Sequence, residues 1–186
     1  IALIVGVLFT AFFTLIPIIP LHLVQGLGAN EGFVALYGFL ELLGGAAVSL
    51  VANRLAARLG FRVAMTWGIT GTGLAAIILA LAPNLYFTLP AALLSGAAWN
   101  LTDISQFSHF SLSTPPASRA SRTRAYYQVM SIATFAGPLI GSALASGGIA
   151  LPVVLLFGAG LRLLAGVVTR QEGNWSARAS SPAAPA

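Results

Sequence analysis

The sequence lacks or is poor in several residue types that mark functional sites. It contains no cysteine, which excludes a disulfide framework, a thiolate metal site and a cysteine nucleophile. It contains no lysine either, so all of its 9 basic residues are arginine. Only 7% of the 186 residues are charged, against about 25% in soluble domains. A chain with so little charge cannot cover a surface that faces water.

The motifs of common enzyme classes are also absent. The sequence has no Gly-x-Ser-x-Gly, no His-Glu-x-x-His and no glycine-rich phosphate loop with lysine, so it predicts no catalytic residue, no cofactor and no metal site. The formal net charge of +5 comes from arginines in separate clusters between apolar runs. Nucleic-acid binding needs a continuous basic face, so we expect neither an enzyme nor a nucleic-acid partner.

Long apolar runs dominate what is present. Hydrophobic residues make up 58% of the chain and the mean hydropathy is +0.91. A helix needs about 20 apolar residues to span a bilayer. The sequence therefore predicts an all-α membrane protein, a bundle of six transmembrane helices over residues 1–170. The predicted spans cover residues 2–24, 33–52, 63–82, 86–110, 125–146 and 150–169. Residues 171–186 are predicted to be a disordered cytoplasmic tail.

The arginines predict the orientation of these spans in the lipid bilayer. They fall in alternate connections, and the other connections carry no Lys or Arg. The basic connections are expected to stay on the cytoplasmic side, which places both termini there. With the heavy use of Ala and Gly, an arginine-only basic set favours a bacterial protein of the inner membrane. The arginines outside the predicted spans are Arg54, Arg58 and Arg62, then Arg119, Arg122 and Arg124, then Arg170 and Arg178.

An acidic residue, Glu41, lies near the middle of the second predicted span. A central acid costs roughly 2.5–3.5 kcal/mol during insertion, so it should face the bundle interior. Tyr37 lies one turn earlier on the same helical face. Two functional interpretations stay open: Glu41 titrates in a proton-coupled cycle, or it contacts a cationic substrate. The alternative is an acid that only tightens helix packing.

The fourth span contains a second acid in a polar stretch, from Asn100 to His109. Asn100 and Asp103 lie on or near one face, which is too hydrophilic to meet lipid. We interpret Asp103 as a gate residue that pairs with an arginine, as a substrate contact, or as inert polar packing. Arg162, within the sixth span, is expected to extend its side chain to the inner interface; the alternative is that it pairs with Asp103 or Glu41.

Prolines and small residues predict mechanical features. Pro17 and Pro20 fall in the outward half of the first span, where each removes a helical donor. These kinks either serve gating or reflect the general frequency of proline in membrane helices. Gly137, Pro138 and Gly141 fall in the fifth span, where glycines form small faces for helix packing.

Three motifs, in order, resemble those of the major facilitator superfamily. Its hinge signature, Gly-x-x-x-Asp-Arg-x-Gly-Arg-Arg, aligns with residues 53–62 and is matched at Arg58, Gly60 and Arg62. The sequence departs from it at Asn53, Ala57 and Phe61. Pro115 followed by Arg119, after the fourth span, looks like the proline and arginine that the family has there. Residues 137–142 look like the family's Gly-Pro-x-x-Gly-Gly motif.

The resemblance implies a fold and a function. Members of this family pair two six-helix halves around a central substrate path. The hinge signature without its aspartate resembles the hinge of the second half. The chain would then be the C-terminal half of a secondary transporter that moves a small solute by alternating access, possibly with proton coupling. Its partner would be a missing N-terminal six-helix half. The hinge and gate residues would be Arg54, Arg58, Gly60, Arg62, Pro115 and Arg119. The alternative is a stand-alone six-helix membrane scaffold without transport activity.

Overall fold

The computed structural model describes residues 2–113, 117 and 119–179, and the side chains of residues 6–111, 117 and 119–170. All regular structure within these residues is helical. The helices are α1 (Ala2–Leu15), α2 (Ile18–Leu21), α3 (Glu31–Ser49), α4 (Ala52–Leu59), α5 (Phe61–Ala80), α6 (Thr88–Ser113), α7 (Arg119–Ser146) and α8 (Leu151–Ala179). A π-helical turn (His22–Gly26) follows α2, and a 3-10 turn (Leu85–Phe87) precedes α6.

The prediction of an all-α membrane protein is confirmed, with one correction to the number of strongly apolar helices. Among the described residues, five helices are long and apolar enough to cross a membrane. The helix that falls short is α6, although it has 26 residues. It packs between α3 and α5, so its polar side chains are covered by protein and not by lipid. Its buried polar residues include Ser95, Thr102, Ser105 and Gln106.

Several helix ends differ from the predicted span ends. The second predicted span ran to Ala52, but α3 ends at Ser49 and Ala52 begins α4. Helix α7 begins at Arg119, before the predicted start at Ala125, and α8 runs to Ala179, into the segment predicted to be a disordered tail. Hydropathy marks where the lipid ends, whereas arginine is a good helix former and lets a helix continue beyond that point.

The predicted hinge is itself a short amphipathic helix. In α4, Ala52 and Ala56 are fully buried while Arg54 and Arg58 are exposed. The helix ends at Gly60, which has a φ of 88°. Only glycine adopts that backbone conformation without strain, so the sharp turn between α4 and α5 depends on this residue.

The long helices pack in an order that differs from their order in the chain. Neighbouring pairs place them as α7, α1, α8, α5, α6 and α3. Exchanging the first three long helices (α1, α3, α5) with the last three (α6, α7, α8) leaves this set of neighbours unchanged. Such a pattern is typical of an internal structural repeat. Helices α1 and α6 occupy equivalent positions in it, each between two other helices.

The first span is broken where its prolines were predicted to act. Pro17 has no backbone N–H, and the N–H of Ile16 donates to the carbonyl of Phe13 at 3.2 Å. Helix α1 therefore ends at Leu15, and the chain continues through α2 and the π-helical turn. Around this break, Leu15, Ile18 and Leu23 are fully buried in the main hydrophobic core. Pro138, by contrast, lies inside α7 without ending it.

Candidate functional site

Close contact between α3 and α6 forms one wall of the site. A Cβ atom on Gly96 would collide with the backbone carbonyl of Glu41, and one on Gly44 would collide with that of Leu93. Small residues allow helix backbones to approach in this way. The approach places the polar face of α3 directly against α6.

The carboxylate of Glu41 is held at this contact. The Ser95 hydroxyl donates a hydrogen bond of 2.7 Å to Oε1 of Glu41. Hydrogen bonds to an ionised acceptor are short and strong. Tyr37, on the same face of α3, is 4% exposed. Glu41 therefore faces the bundle interior, as its position in the sequence predicted.

Asn100 joins α6 to the end of α3. Its amide Nδ2 donates to the carbonyl of Gly96 at 3.2 Å, and its Oδ1 accepts from the Ser49 hydroxyl at 3.4 Å. Both ends of this side chain are thus engaged within the protein. Asn100 therefore links α3 and α6 and has little hydrogen-bonding capacity left for a ligand.

Arg162 reaches the site from α8 and is 3% exposed. Its Nη1 donates to the carbonyl of Thr72 at 3.1 Å. Its Nη2 donates to the carbonyls of Ala11 at 3.4 Å and Phe12 at 3.2 Å. Phe12 lies in the final turn of α1, where helix carbonyls lack internal partners and carry partial negative charge, and Ala11 directly precedes it. The expected extension of Arg162 to the inner interface is therefore wrong, because the broken end of α1 offers the guanidinium buried acceptors.

Aromatic rings line the side of the site next to Arg162. The rings of Phe12 and Trp99 stack with centroids 3.7 Å apart and planes at 22°. The guanidinium carbon of Arg162 lies 4.8 Å from the centroid of Phe12, within cation–π distance. These contacts tie α1, α6 and α8 together at one level of the bundle.

A cavity of about 380 Å³ opens between these helices. That volume lies within the range of small-molecule pockets, about 300–1,000 Å³. Its polar lining comes from Tyr37, Glu41, Ser95, Asn100 and Arg162. Apolar and aromatic side chains of α1, α2, α3 and α6 form the rest. In the described part of the chain, no three His, Asp or Glu residues are grouped as a metal site would require.

The structure brings together three of the four predicted path residues, Tyr37, Glu41 and Asn100. Asp103 lies further along α6, is partly buried and is not among the residues that line the cavity. Between described residues, it forms no ion pair with an arginine. The pairing of Asp103 at a gate therefore stays a prediction.

The predicted hinge and gate residues lie at the basic end of the bundle, where α4 joins α5 and α6 approaches α7. Arg62 donates from Nε to Nε2 of His109 at 3.4 Å, so α5 and α6 are linked there. Gln106 donates to the Tyr126 hydroxyl at 3.4 Å, which links α6 to α7. The arginines with exposed side chains at this end are Arg54, Arg58, Arg119, Arg122 and Arg124. Pro115 lies outside the described residues.

The predicted packing glycines lie where α7 meets α1. A Cβ on Gly137 would approach Phe13 and Thr14, and one on Gly141 would collide with the carbonyl of Thr14. Gly141 also approaches Pro17, whose ring would lie 3.3 Å from an added Cβ. Helix α7 is thus packed closely against α1 just before the break.

The sequence did not identify Ser95, and it left the placement of Arg162 open. Ser95 gave no signal, because a serine in an apolar helix usually bonds to its own backbone. Arg162 did give one: it lies near the middle of the apolar segment Leu151–Arg170. A charge at that depth needs a buried partner, which could have assigned Arg162 to the interior.

Comparison with known proteins adds one positive finding. The sequence model of the family described as Major Facilitator Superfamily matches residues 1–180. No curated protein matches the chain.

Proposed function

The chain belongs to the major facilitator superfamily, and we propose that it forms the C-terminal half of a secondary transporter that moves a small solute by alternating access. The match makes it a transporter of the major facilitator type. Members of this superfamily bind their substrates near the midplane, between two six-helix halves. The N-terminal half would supply the rest of the solute path.

The cavity around Glu41 is the observation that carries this proposal. It lies near the middle of α3 and α8, and it contains an acid and an arginine in a lining that is otherwise mostly apolar. Ionisable residues inside a membrane are expensive and commonly mark substrate or proton pathways. A protein that only served as a scaffold would need neither the cavity nor the two charges.

Glu41 is the group we propose for proton coupling. The groups that face it are Tyr37 on its own helix, Ser95 and Asn100 on α6, and Arg162 on α8. A carboxyl group that reaches water on one side of the membrane and then on the other during the cycle carries a proton between the two sides.

The break after α1 and the hinge at Gly60 are the elements we propose to move. Irregular backbone at membrane depth persists where it lines a cavity, and Ile16, Ile19 and Pro20 of the broken span line this one. Gly60 allows α4 to turn sharply into α5 at the opposite, basic end. Movement at the two ends in alternation would open the cavity to one side at a time.

A transport assay on the intact gene product tests the proposal. The protein is reconstituted in liposomes that contain a pH-sensitive dye, and a panel of small solutes is added outside. We expect at least one solute to cause a change of internal pH. In Glu41→Gln this proton movement should be abolished, because the amide cannot titrate.

Glu31→Gln is the matched control, since Glu31 is an exposed acid in the first turn of the same helix. It should leave proton movement unchanged. Solute uptake with equal proton movement in Glu41→Gln would contradict proton coupling through Glu41. A complete absence of solute transport across the panel would contradict the transporter proposal and favour the scaffold alternative.

A further inference from the structure

Most polar groups that line the cavity are already engaged within the protein. The Ser95 hydroxyl donates to Oε1 of Glu41, and both polar ends of Asn100 have partners in the wall. A sugar or another polyol needs several free donors and acceptors, because each buried polar group left unpaired costs free energy. Among the described residues, this lining offers little beyond the Tyr37 hydroxyl and one carboxylate oxygen of Glu41.

Arg162 is equally committed to the protein. Its two terminal nitrogens donate to backbone carbonyls on α1 and α5, and its buried Nε has no hydrogen-bond partner among the described residues. With 3% exposure, it cannot present the planar edge with which arginine binds a carboxylate or phosphate. The cavity is therefore a poor site for an anionic ligand.

Glu41 is the exception among the charged groups. Within the described part of the chain, its second carboxylate oxygen, Oε2, accepts no hydrogen bond. An ionised oxygen in an apolar cavity attracts a positive charge strongly, because water does not screen it there. Trp99, which stacks on Phe12, also lines the cavity, and the face of an aromatic ring attracts cations.

We propose that the cavity binds an organic monocation with a compact apolar or aromatic body, and that Glu41 is its counter-ion. The inference rests on the proposed transport function and names the class of solute. The cationic head lies against Glu41, and the body packs on Trp99 and on the apolar side chains of α1 and α3. A cavity of about 380 Å³ limits the ligand to a small molecule.

The charge of Arg162 opposes a cation but does not prevent binding. Glu41 bonds to Ser95, and Arg162 bonds to carbonyls of other helices, so the two do not form a direct pair that a ligand would have to break. The Coulomb energy falls with distance, and contact with the carboxylate therefore outweighs repulsion from a guanidinium that is shared among three carbonyls.

Equilibrium binding of a matched ligand pair tests this inference. Radiolabelled benzyltrimethylammonium is titrated against the purified intact gene product, and neopentylbenzene, its neutral carbon isostere, is offered as competitor. We expect saturable binding of the cation and no competition by the isostere at equal concentration. Glu41→Gln should weaken binding by about tenfold or more, and Glu31→Gln should leave it unchanged.

Three outcomes would overturn the inference: no saturable binding of the cation, equal competition by the isostere, or unchanged affinity in Glu41→Gln. If Glu41→Gln does not insert, the ligand pair still decides with the unmodified protein. The failures of the two proposals are distinguishable. Selective cation binding without any transport contradicts the proposed function alone, whereas transport of solutes without charge selectivity contradicts only the class of solute.

Discussion

At the scale of single residues, the bundle interior contains two charged side chains, Glu41 and Arg162, and they have different kinds of hydrogen-bond partner. Glu41 lines the cavity and accepts one hydrogen bond from Ser95, and within the described residues its other oxygen accepts none. Arg162 donates three hydrogen bonds to backbone carbonyls and contacts the ring of Phe12. The first arrangement leaves a group available to a ligand. The second makes Arg162 a link between α8, α1 and α5.

Replacing this arginine should destabilise the bundle. In Arg162→Met the carbonyl of Phe12, which lies beside the break in α1, loses its donor and the three helices lose a common link. We expect a loss of about 1–3 kcal/mol in unfolding free energy, the usual range for a buried partner left unpaired. Thermal unfolding in detergent, followed by tryptophan fluorescence, measures it.

The control for this substitution lies on the same helix. Arg170 is exposed, so Arg170→Met should leave the unfolding temperature almost unchanged. Equal stability of Arg162→Met and the unmodified protein would show that the three hydrogen bonds contribute nothing to the fold.

At the scale of helices, small residues decide which faces meet. Helices α3 and α6 approach through Gly44, Gly45 and Gly96, and α7 approaches α1 through Gly137 and Gly141. Glycines that recur within apolar runs predict close helix packing from the sequence. The sequence does not predict which helices meet at these glycines, because a face of small residues does not specify the helix that it contacts.

Gly96→Ala tests whether the α3–α6 contact holds the site together. The added methyl group would collide with the backbone of Glu41, which cannot move as a flexible side chain can. We expect a loss of about 1–3 kcal/mol in stability, together with weaker binding of any ligand that contacts Glu41. Unfolding in detergent and equilibrium binding provide the two measurements.

Gly160→Ala is the matched control, because nothing lies within 4 Å of a Cβ at that position. Alanine favours a helix more than glycine does, so this variant should be as stable as the unmodified protein or slightly more so. If Gly96→Ala and Gly160→Ala behave alike, the α3–α6 approach is looser than described.

At the scale of the whole molecule, the arginines of the hinge and of the start of α7 lie where one end of the bundle would meet water. The hydrogen bond between Arg62 and His109 brings the α4–α5 hinge to the same end as the last turns of α6. Helix α7 begins at that end with Arg119, Arg122 and Arg124. We expect this end to be cytoplasmic, because basic loops are retained on that side.

The lack of cysteine makes the orientation easy to test. Ala57→Cys introduces one thiol on the exposed side of α4, and Ala150→Cys introduces one in the connection between α7 and α8. A membrane-impermeant maleimide added to intact cells should label the Ala150→Cys variant and not the Ala57→Cys variant. After lysis both should react, which controls for accessibility, and the reverse pattern in intact cells would contradict the predicted orientation.

The sequence by itself determined the fold class and the main spans, because apolar runs of membrane length permit few structures other than helices. It also identified Glu41 and Tyr37 as interior residues, since a central acid and its helical neighbour have few alternatives to facing protein. The number of strongly apolar helices was predicted less exactly, because the polar residues of α6 are covered by α3 and α5.

Tertiary structure alone decided which groups meet. Ser95 lies opposite Glu41 because three glycines bring α3 and α6 together. Arg162 turns inward because the break at Pro17 places α1 carbonyls within its reach. Both contacts join residues far apart in the chain, and local patterns carry no information about such pairs. Helix formation follows from the apolar runs, whereas the cavity and its single available carboxylate oxygen depend on how the helices pack.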